Sequence, residues 1–521
     1  MIFVYGIIFA YILFSIYHLF SSQYVANWMK KEKRKKIELN DIDIDIPDVV
    51  IIIPALREVS LVEDTLKYFS QIKYPKEKYK IVFVTTIMET ISKEEKRKNI
   101  DEFYKKISLK KNLEEIVNYN EGLFPLIYLK DVERIISANK KGNEIRDELY
   151  KLYDSIPTTR DCIAKTIEAN KERYRNYYIV ECSKAGVEVG KPTQLNYVID
   201  GLHELLGDIN KERLLIGVYD FDSRPDLRTL SYIALKEHEC KKQGRELPDF
   251  YQQTQLPYKD NKNIDIMSKN KNLMKANVIM YTRRALGIEI FKIMRYKKHL
   301  ERGHIRFMRP IINCLGAGMF IEENTLREIG GFAEPVEDLV LGYKLNIKNK
   351  RVEPLPYINI MQPYLYMKEM INSHSRIFMI GLRLYREGTY IESDKIQSII
   401  PAIKEFCECI MWLLCCPIMW TAFICYFTNG FIIEGMALLI CTILLRFWVD
   451  FIILAQEAKN QIMDYEGIEC NIEISRKQMI IMLILSPFLG IVRFVSALVG
   501  GGKFIYFYVL HKKTYRKKTE R

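Results

Sequence analysis

Four apolar stretches bracket a charged middle, and this division constrains the chain more than any other feature. The first runs from Met1 to about Phe20, and the others are Phe406 to Phe427, Phe431 to Ala455 and Met479 to Val499. Each approaches the roughly 20 apolar residues a helix needs to cross a bilayer. The first stretch has no basic n-region and no small-residue cleavage site after it, so a retained span over 1–22 is expected, not a removed signal. A basic linker, 23–47, and a basic tail, 511–521, adjoin apolar segments. The excess of lysine and arginine beside spans marks the cytoplasmic side, which places the middle of the chain there. Three full C-terminal spans within 401–510 would strand the basic tail outside. The last segment carries Pro487, Gly490 and Arg493, so a re-entrant or interfacial course and a cytoplasmic tail are expected.

The net charge is +13. Such a balance suits an anionic partner. Zinc-knuckle spacing, RNP-like aromatic runs and basic heptads are missing from the sequence, so the membrane surface is the expected partner and nucleic acid is not. The eleven cysteines form no Cys-x-x-Cys pair and read as small apolar packing in a reducing compartment.

From Asp48 the pattern changes. Val49 to Ile53 is an unbroken β-branched run ending at Pro54, the signature of a strand buried on both faces. Leu61, Thr65, Leu66 and Phe69 follow at helical spacing, then a second run from Tyr79 to Val84. Strand, helix and strand over so short a length make a βαβ unit, the building block of doubly wound α/β sheets. Segments 48–86 and 177–400 are expected to form one α/β domain, with strands at Tyr177 to Val180 and Leu214 to Tyr219 and a helix at Thr193 to Leu206. Residues 87–176 are rich in Lys, Glu and Asn, with apolar positions at helical spacing (Leu109, Leu113, Ile116, Val117). They read as a helical insertion, either a solvated accessory surface or a lobe for an acceptor or a partner subunit.

Two acidic pairs carry the chemistry. Asp220 and Asp222 flank Phe221 directly after an apolar strand. Two carboxylates so placed suit one Mg²⁺ or Mn²⁺ that leaves positions open for phosphate oxygens. Glu337-Asp338 opens a helical pattern through Leu339, Leu341 and Leu345. An acidic pair there either favours the helix dipole or supplies a general base. Gly316-Ala317-Gly318 upstream lets a ligand approach backbone closely, and Gly330-Gly331-Phe332 marks a turn.

In this order the motifs resemble those of the membrane-bound family-2 glycosyltransferases, the group that includes cellulose and hyaluronan synthases. Val49 to Glu58 is similar to that family's opening strand and Pro-Ala-x-x-Glu loop, and Gly190-Lys191-Pro192-Thr193-Gln194-Leu195-Asn196 to its Gly-Lys-x-x-x-Leu-Asn element. Asp220-Phe221-Asp222-Ser223 resembles its metal motif, and Val336-Glu337-Asp338 its Thr-Glu-Asp motif. The resemblance implies a nucleotide-sugar-binding (GT-A-like) doubly wound sheet with a helical insertion and transmembrane helices at both ends. It implies an inverting transfer from a nucleotide-sugar donor, a UDP-sugar, to a glycan or lipid acceptor at the cytoplasmic face of the cell membrane. By the same resemblance Pro54, Ala55, Glu58, Lys191 and Asp220 would meet the nucleotide, Asp220 and Asp222 the metal ion. Asp338, beside Glu337, would be the base, with Gly316, Ala317, Gly318 and Arg376 on the acceptor side. Three departures stand out. Thr85-Thr86 occupy the place of the family's Asp after the second strand, Val336 replaces Thr, and of Gln-x-x-Arg-Trp only Arg376 remains. An inactive transferase-fold scaffold that binds a nucleotide-sugar or a partner protein is the alternative reading.

Overall fold

The computed structural model describes residues 2–35, 46–107, 123–138, 142–183, 190–207, 213–259, 268–333, 336–384, 395–447 and 476–510, with short pieces between them. Its centre is an eight-stranded sheet: β1 (Asp48–Pro54), β2 (Tyr79–Thr86), β3 (Tyr177–Cys182), β4 (Leu214–Val218), β5 (Arg224–Pro225), β6 (Phe250–Leu256), β7 (Met319–Glu322) and β8 (Val352–Ile360). The spatial order is β3-β2-β1-β4-β7-β6-β8-β5. The four strands foreseen from the sequence form the parallel half; Ile52 pairs with Val82 on one side and Val218 on the other. The other half is mixed: β7 runs antiparallel to β4 and β6, while β6 and β8 are parallel. The sheet is therefore not parallel throughout. Strands β6 and β8 escaped notice because Gln252-Gln253-Thr254-Gln255 and Pro354 break the apolar pattern.

The β-branched run of β1 follows from its place in the sheet. Ile51 and Ile53 point into a core with Leu66, Phe69 and Tyr177, while Val50 and Ile52 point into a second core with Leu195, Leu341 and Leu345. Both faces are covered, so neither register of side chains can be polar. Burying each Ile fully is worth on the order of 2 kcal/mol.

Between β2 and β3 the chain forms helices Met88–Arg97, Ile100–Ile107, Leu129–Ser137, Gly142–Ser155 and Thr159–Ala169. They enclose a core of their own around Phe103, Phe124, Val132, Leu149 and Tyr153. Ile116 is buried in it; Leu109, Leu113 and Val117 lie outside the described residues. Thr158 and Asp161 cap the last helix reciprocally.

Among the described residues two helices are long and apolar enough to cross a membrane, Ile399–Thr428 and Phe488–Phe507. The stretch from Phe431 appears as helix Ile432–Phe447, and residues 448–455 lie outside the described set. The N-terminus differs from expectation. It is one helix, Ile2–Lys33, with no boundary near residue 22 and with Lys30, Lys31 and Lys33 in its last turn. Its second half is packed against protein: His18, Ser21, Ser22, Val25 and Met29 are buried. Ser21 Oγ donates to Gly287 O at 2.8 Å across to the π-helical turn Ala285–Ile290. Protein contact, which composition does not reveal, covers this half of the helix.

Candidate functional site

Strand order reverses between β1 and β4: from β1 the chain moves outward to β2 and β3, then returns to β4 on the other side. The crevice beyond the carboxyl ends of such a strand pair is where open α/β sheets bind ligands. Pro54 and Ala55 leave β1 there, and Asp220 leaves β4 there.

One ammonium group organises the crevice. Lys191, the first residue of helix Lys191–Asp200, places Nζ 2.8 Å from Asp220 Oδ1 and 3.0 Å from Glu337 Oε1. The same group donates to Gly316 O. Burial would lower the Lys191 pKa, but the carboxylates of Asp220 and Glu337 outweigh it and raise the value. The ammonium therefore stays charged. Asp338 is the neighbouring carboxyl. Burial, then the charge of Glu337, pushes it up to about 7, against the pull of Lys191 and of the Leu339 N–H. Its Oδ1 accepts from Leu339 N at 2.7 Å. Asp220, Lys191, Gly316, Glu337 and Asp338 are thus gathered in one place from four distant stretches of sequence.

Gly316 fits this cluster because it lacks a side chain. A Cβ there would lie 3.1 Å from Asp338 Oδ2 and 3.3 Å from both Glu337 Oε1 and Lys191 Nζ. Gly316→Ala is therefore expected to lower turnover at least about tenfold, a cost of some 1.4 kcal/mol in the transition state. The melting temperature should stay nearly unchanged; a single-point turnover assay beside a thermal melt checks both. Gly318 has φ of +75°, a conformation glycine adopts without strain. Its N–H donates to Val218 O at 2.8 Å. Ala317 is buried, and its carbonyl accepts from Gln255 Nε2 at 2.6 Å.

The polar strand β6 is the support that sequence reasoning missed. Gln252 Oε1 accepts from Leu315 N at 3.0 Å, and Gln253 Oε1 accepts from Tyr219 Oη at 2.7 Å. Three glutamines in a four-residue stretch were the available signal. Asn196 is a second unassigned support. Its Nδ2 donates to Phe332 O at 2.7 Å, and its Oδ1 accepts from Phe332 N at 2.9 Å. Lys344, buried on helix Glu337–Ile347, donates to Ile329 O at 2.8 Å. The turn that delivers the Glu337-Asp338 pair is held from both sides.

The loop after β1 is tied to the insertion. Arg57 has φ of +61°, and its N–H donates to Glu89 Oε2 at 3.3 Å. Glu58 N donates to Thr159 Oγ1, and Thr159 donates through N and Oγ1 to Glu89 Oε1, each at 2.9 Å. At the end of β2 the hydroxyl of Thr85 donates to Val180 O at 3.4 Å, and Thr86 Oγ1 accepts from Met88 N at 3.2 Å. Both hydroxyls serve the backbone. Arg376 lies on helix Met367–Gly381, close in sequence to buried His374.

Among the described residues no three His, Cys, Asp or Glu side chains gather into a metal-holding group. A cation completed by phosphate oxygens and water needs only one or two carboxylates. Asp220 is about one-third exposed and meets that need. Asp222 is almost fully buried, and its Oδ2 accepts from Gln362 N at 3.4 Å. Of the two, Asp220 is the carboxylate that faces the crevice, with Asp222 buried behind it.

No protein-family profile matches the chain, and no curated protein is similar to it at a significant level. Among solved structures it is similar to a mannosyltransferase from Pyrobaculum calidifontis in complex with GDP-Man and Mn²⁺. The identity is 12%, the TM-score 0.42, and the match covers 96% of this chain and 99% of that one. It is also similar to S. aureus TarS 1-349, alone and in complex with UDP-GlcNAc. There the identity is 10%, the TM-score 0.36, and the coverage 90% and 93%. Likeness at that level carries no functional argument.

Proposed function

We propose that the chain is an inverting glycosyltransferase that moves a sugar from a nucleoside-diphosphate sugar, a UDP-sugar, to a glycan or lipid-linked acceptor at the cytoplasmic membrane face. The observation that carries this reading is the Lys191 cluster, in which an ammonium group joins Asp220 on one side of the crevice to Glu337 on the other, next to Asp338. A carboxyl raised to about 7 is suited to taking a proton from an acceptor hydroxyl near neutral pH. Inversion fits a single base on one face of the sugar with the diphosphate departing from the other.

Asp220, with Asp222 behind it, would hold Mg²⁺ or Mn²⁺, which supplies charge neutralisation for the departing diphosphate. Pro54, at the end of β1, and Ala55 and Glu58, in the loop after it, would line the nucleotide side. Gly316 to Gly318 and Arg376 belong to the acceptor side. Helix Ile399–Thr428 supports a membrane location.

The test is release of nucleoside diphosphate by the detergent-purified chain. The panel is UDP-glucose, UDP-galactose, UDP-N-acetylglucosamine and GDP-mannose, each with Mg²⁺, Mn²⁺ or chelator and with membrane lipid extract. Release from one donor, abolished by chelator and by Asp222→Ala, is expected. Nucleotide binding without release from any donor would favour the scaffold reading instead.

A further inference from the structure

We infer that helix Arg476–Phe504, although long and apolar enough to span a bilayer, does not cross it but lies in the leaflet nearest the sheet domain, its outer face against lipid. The inference rests on Ile399–Thr428 being membrane-inserted and not on the transfer chemistry. The helix touches the sheet domain or its supporting helices along nearly its whole length. Met482 packs with Ala276 and Ile279. Val492 packs on the cluster that contains Leu256 and Ile360 of the sheet. Lys503 Nζ donates to Ser375 Oγ at 3.1 Å, and Phe504 packs on the cluster around Leu339 and Val340. From Met482 to Phe504 an α-helix rises about 33 Å, whereas the hydrocarbon core is about 30 Å thick. A helix crossing that core would leave the domain behind after its first turns.

The approach to the helix agrees. Ten residues before Arg476 the chain is still docked on the sheet domain: Tyr465 Oη donates to Arg224 O at 2.7 Å, and Glu466 lies 3.7 Å from Arg228. The packing against Lys395–Thr428 supplies the lipid. Trp412 Nε1 donates to Arg493 O at 3.2 Å, and Cys409 packs with Ala497. The helix therefore crosses the inserted helix toward its domain end, about one to three helical turns above Glu405. Its exposed side chains are Ile480, Ile484, Phe488, Val495 and Leu498, at spacings that form one stripe. Met411, Leu414 and Ile418 of the inserted helix it packs on are exposed and apolar as well, and an apolar face beside an inserted helix is covered by the same lipid.

The experiment uses the full chain in sealed membranes with a membrane-impermeant maleimide, adducts being located by mass spectrometry to separate them from native cysteines. Lys477→Cys and Gly502→Cys should both react only from the side on which exposed Lys67→Cys of the sheet domain reacts. A Cβ at Gly502 meets nothing within 4 Å, so that variant folds. Reaction of the two from opposite sides overturns the inference. Asn429→Cys, in the turn after the inserted helix, should react from the far side. If it reacts from the near side, the insertion of Ile399–Thr428 fails, and the lipid assignment with it. Ile484→Cys should resist the impermeant reagent and react with a lipid-soluble one. Ready reaction with the impermeant reagent overturns the lipid face. Protection that disappears in nanodiscs holding one copy would assign the face to a second copy and likewise overturn it.

Discussion

Asp338→Asn is expected to lower sugar transfer by about 10²- to 10⁴-fold, the contribution of a general base, with donor affinity unchanged. Asparagine keeps the shape of the side chain and can still accept from Leu339 N–H, so the loss reports proton transfer and not misfolding. The variant should melt no lower than the parent, because a carboxyl crowded by burial and by Glu337 is relieved when its charge is removed. The pH profile of the parent supplies a second check. Asp338 acts as a base only when deprotonated, so activity should fall as pH drops through its pKa. The groups that set this value are Glu337 and Asp220, which raise it, and Lys191, which lowers it, along with burial itself. A divalent ion at Asp220 can only depress it further, so the acid limb of kcat/KM should lie at or below about 7. A limb that survives in Asp338→Asn, or full activity in that variant, would remove Asp338 from the role of base.

Lys191→Met should cost both stability and activity. The methionine fills the volume of the lysine stem but leaves Asp220 and Glu337 facing each other without their cation. Removing one partner of a buried ion pair typically costs about 3–5 kcal/mol. Here Asp220 retains about a third of its exposure, so a loss near the bottom of that range is expected in denaturant titration. Removing Lys191 also lifts the restraint on Asp338, and the acid limb should move upward in pH. Lys191→Arg should not rescue the variant. A planar fork cannot replace a compact ammonium that reaches Asp220, Glu337 and Gly316 O from three directions. Unchanged stability and an unchanged pH profile would show that Lys191 does not hold the cluster.

Much of this arrangement is legible in the sequence because it sits at strand ends. An unbroken β-branched run such as Val49 to Ile53 has few homes other than the middle of a covered sheet, and the polar residues just past such runs fall in the crevice. Asp220 could be placed that way, and Lys191 by the resemblance of its segment to the Gly-Lys-x-x-x-Leu-Asn element. The polar half of the sheet could not. Gln252 and Gln255 satisfy backbone groups on the approach to β7, and Gln253 a carbonyl of β8; buried glutamine in a strand gives no alternating signal. Asn196 was equally hidden: its partner, the backbone of Phe332, is 136 residues away. Helix Ile2–Lys33 shows a third limit. Hydropathy registers an apolar stretch but not the neighbour that covers half of it, and here His18 and Ser21 on the covered face were the only hint.

Helix Lys191–Asp200 links the two sides of the crevice in a way that fixes its width. Lys191 grips the carboxylates, and Asn196, about 7.5 Å further along the axis, grips the turn before Glu337. The two jaws are mounted on one short rod, like a caliper locked at a single setting. Under the proposed transfer, the spacing that Lys191 sets between Asp220 and Glu337 would also set the distance from the leaving group to the proton acceptor.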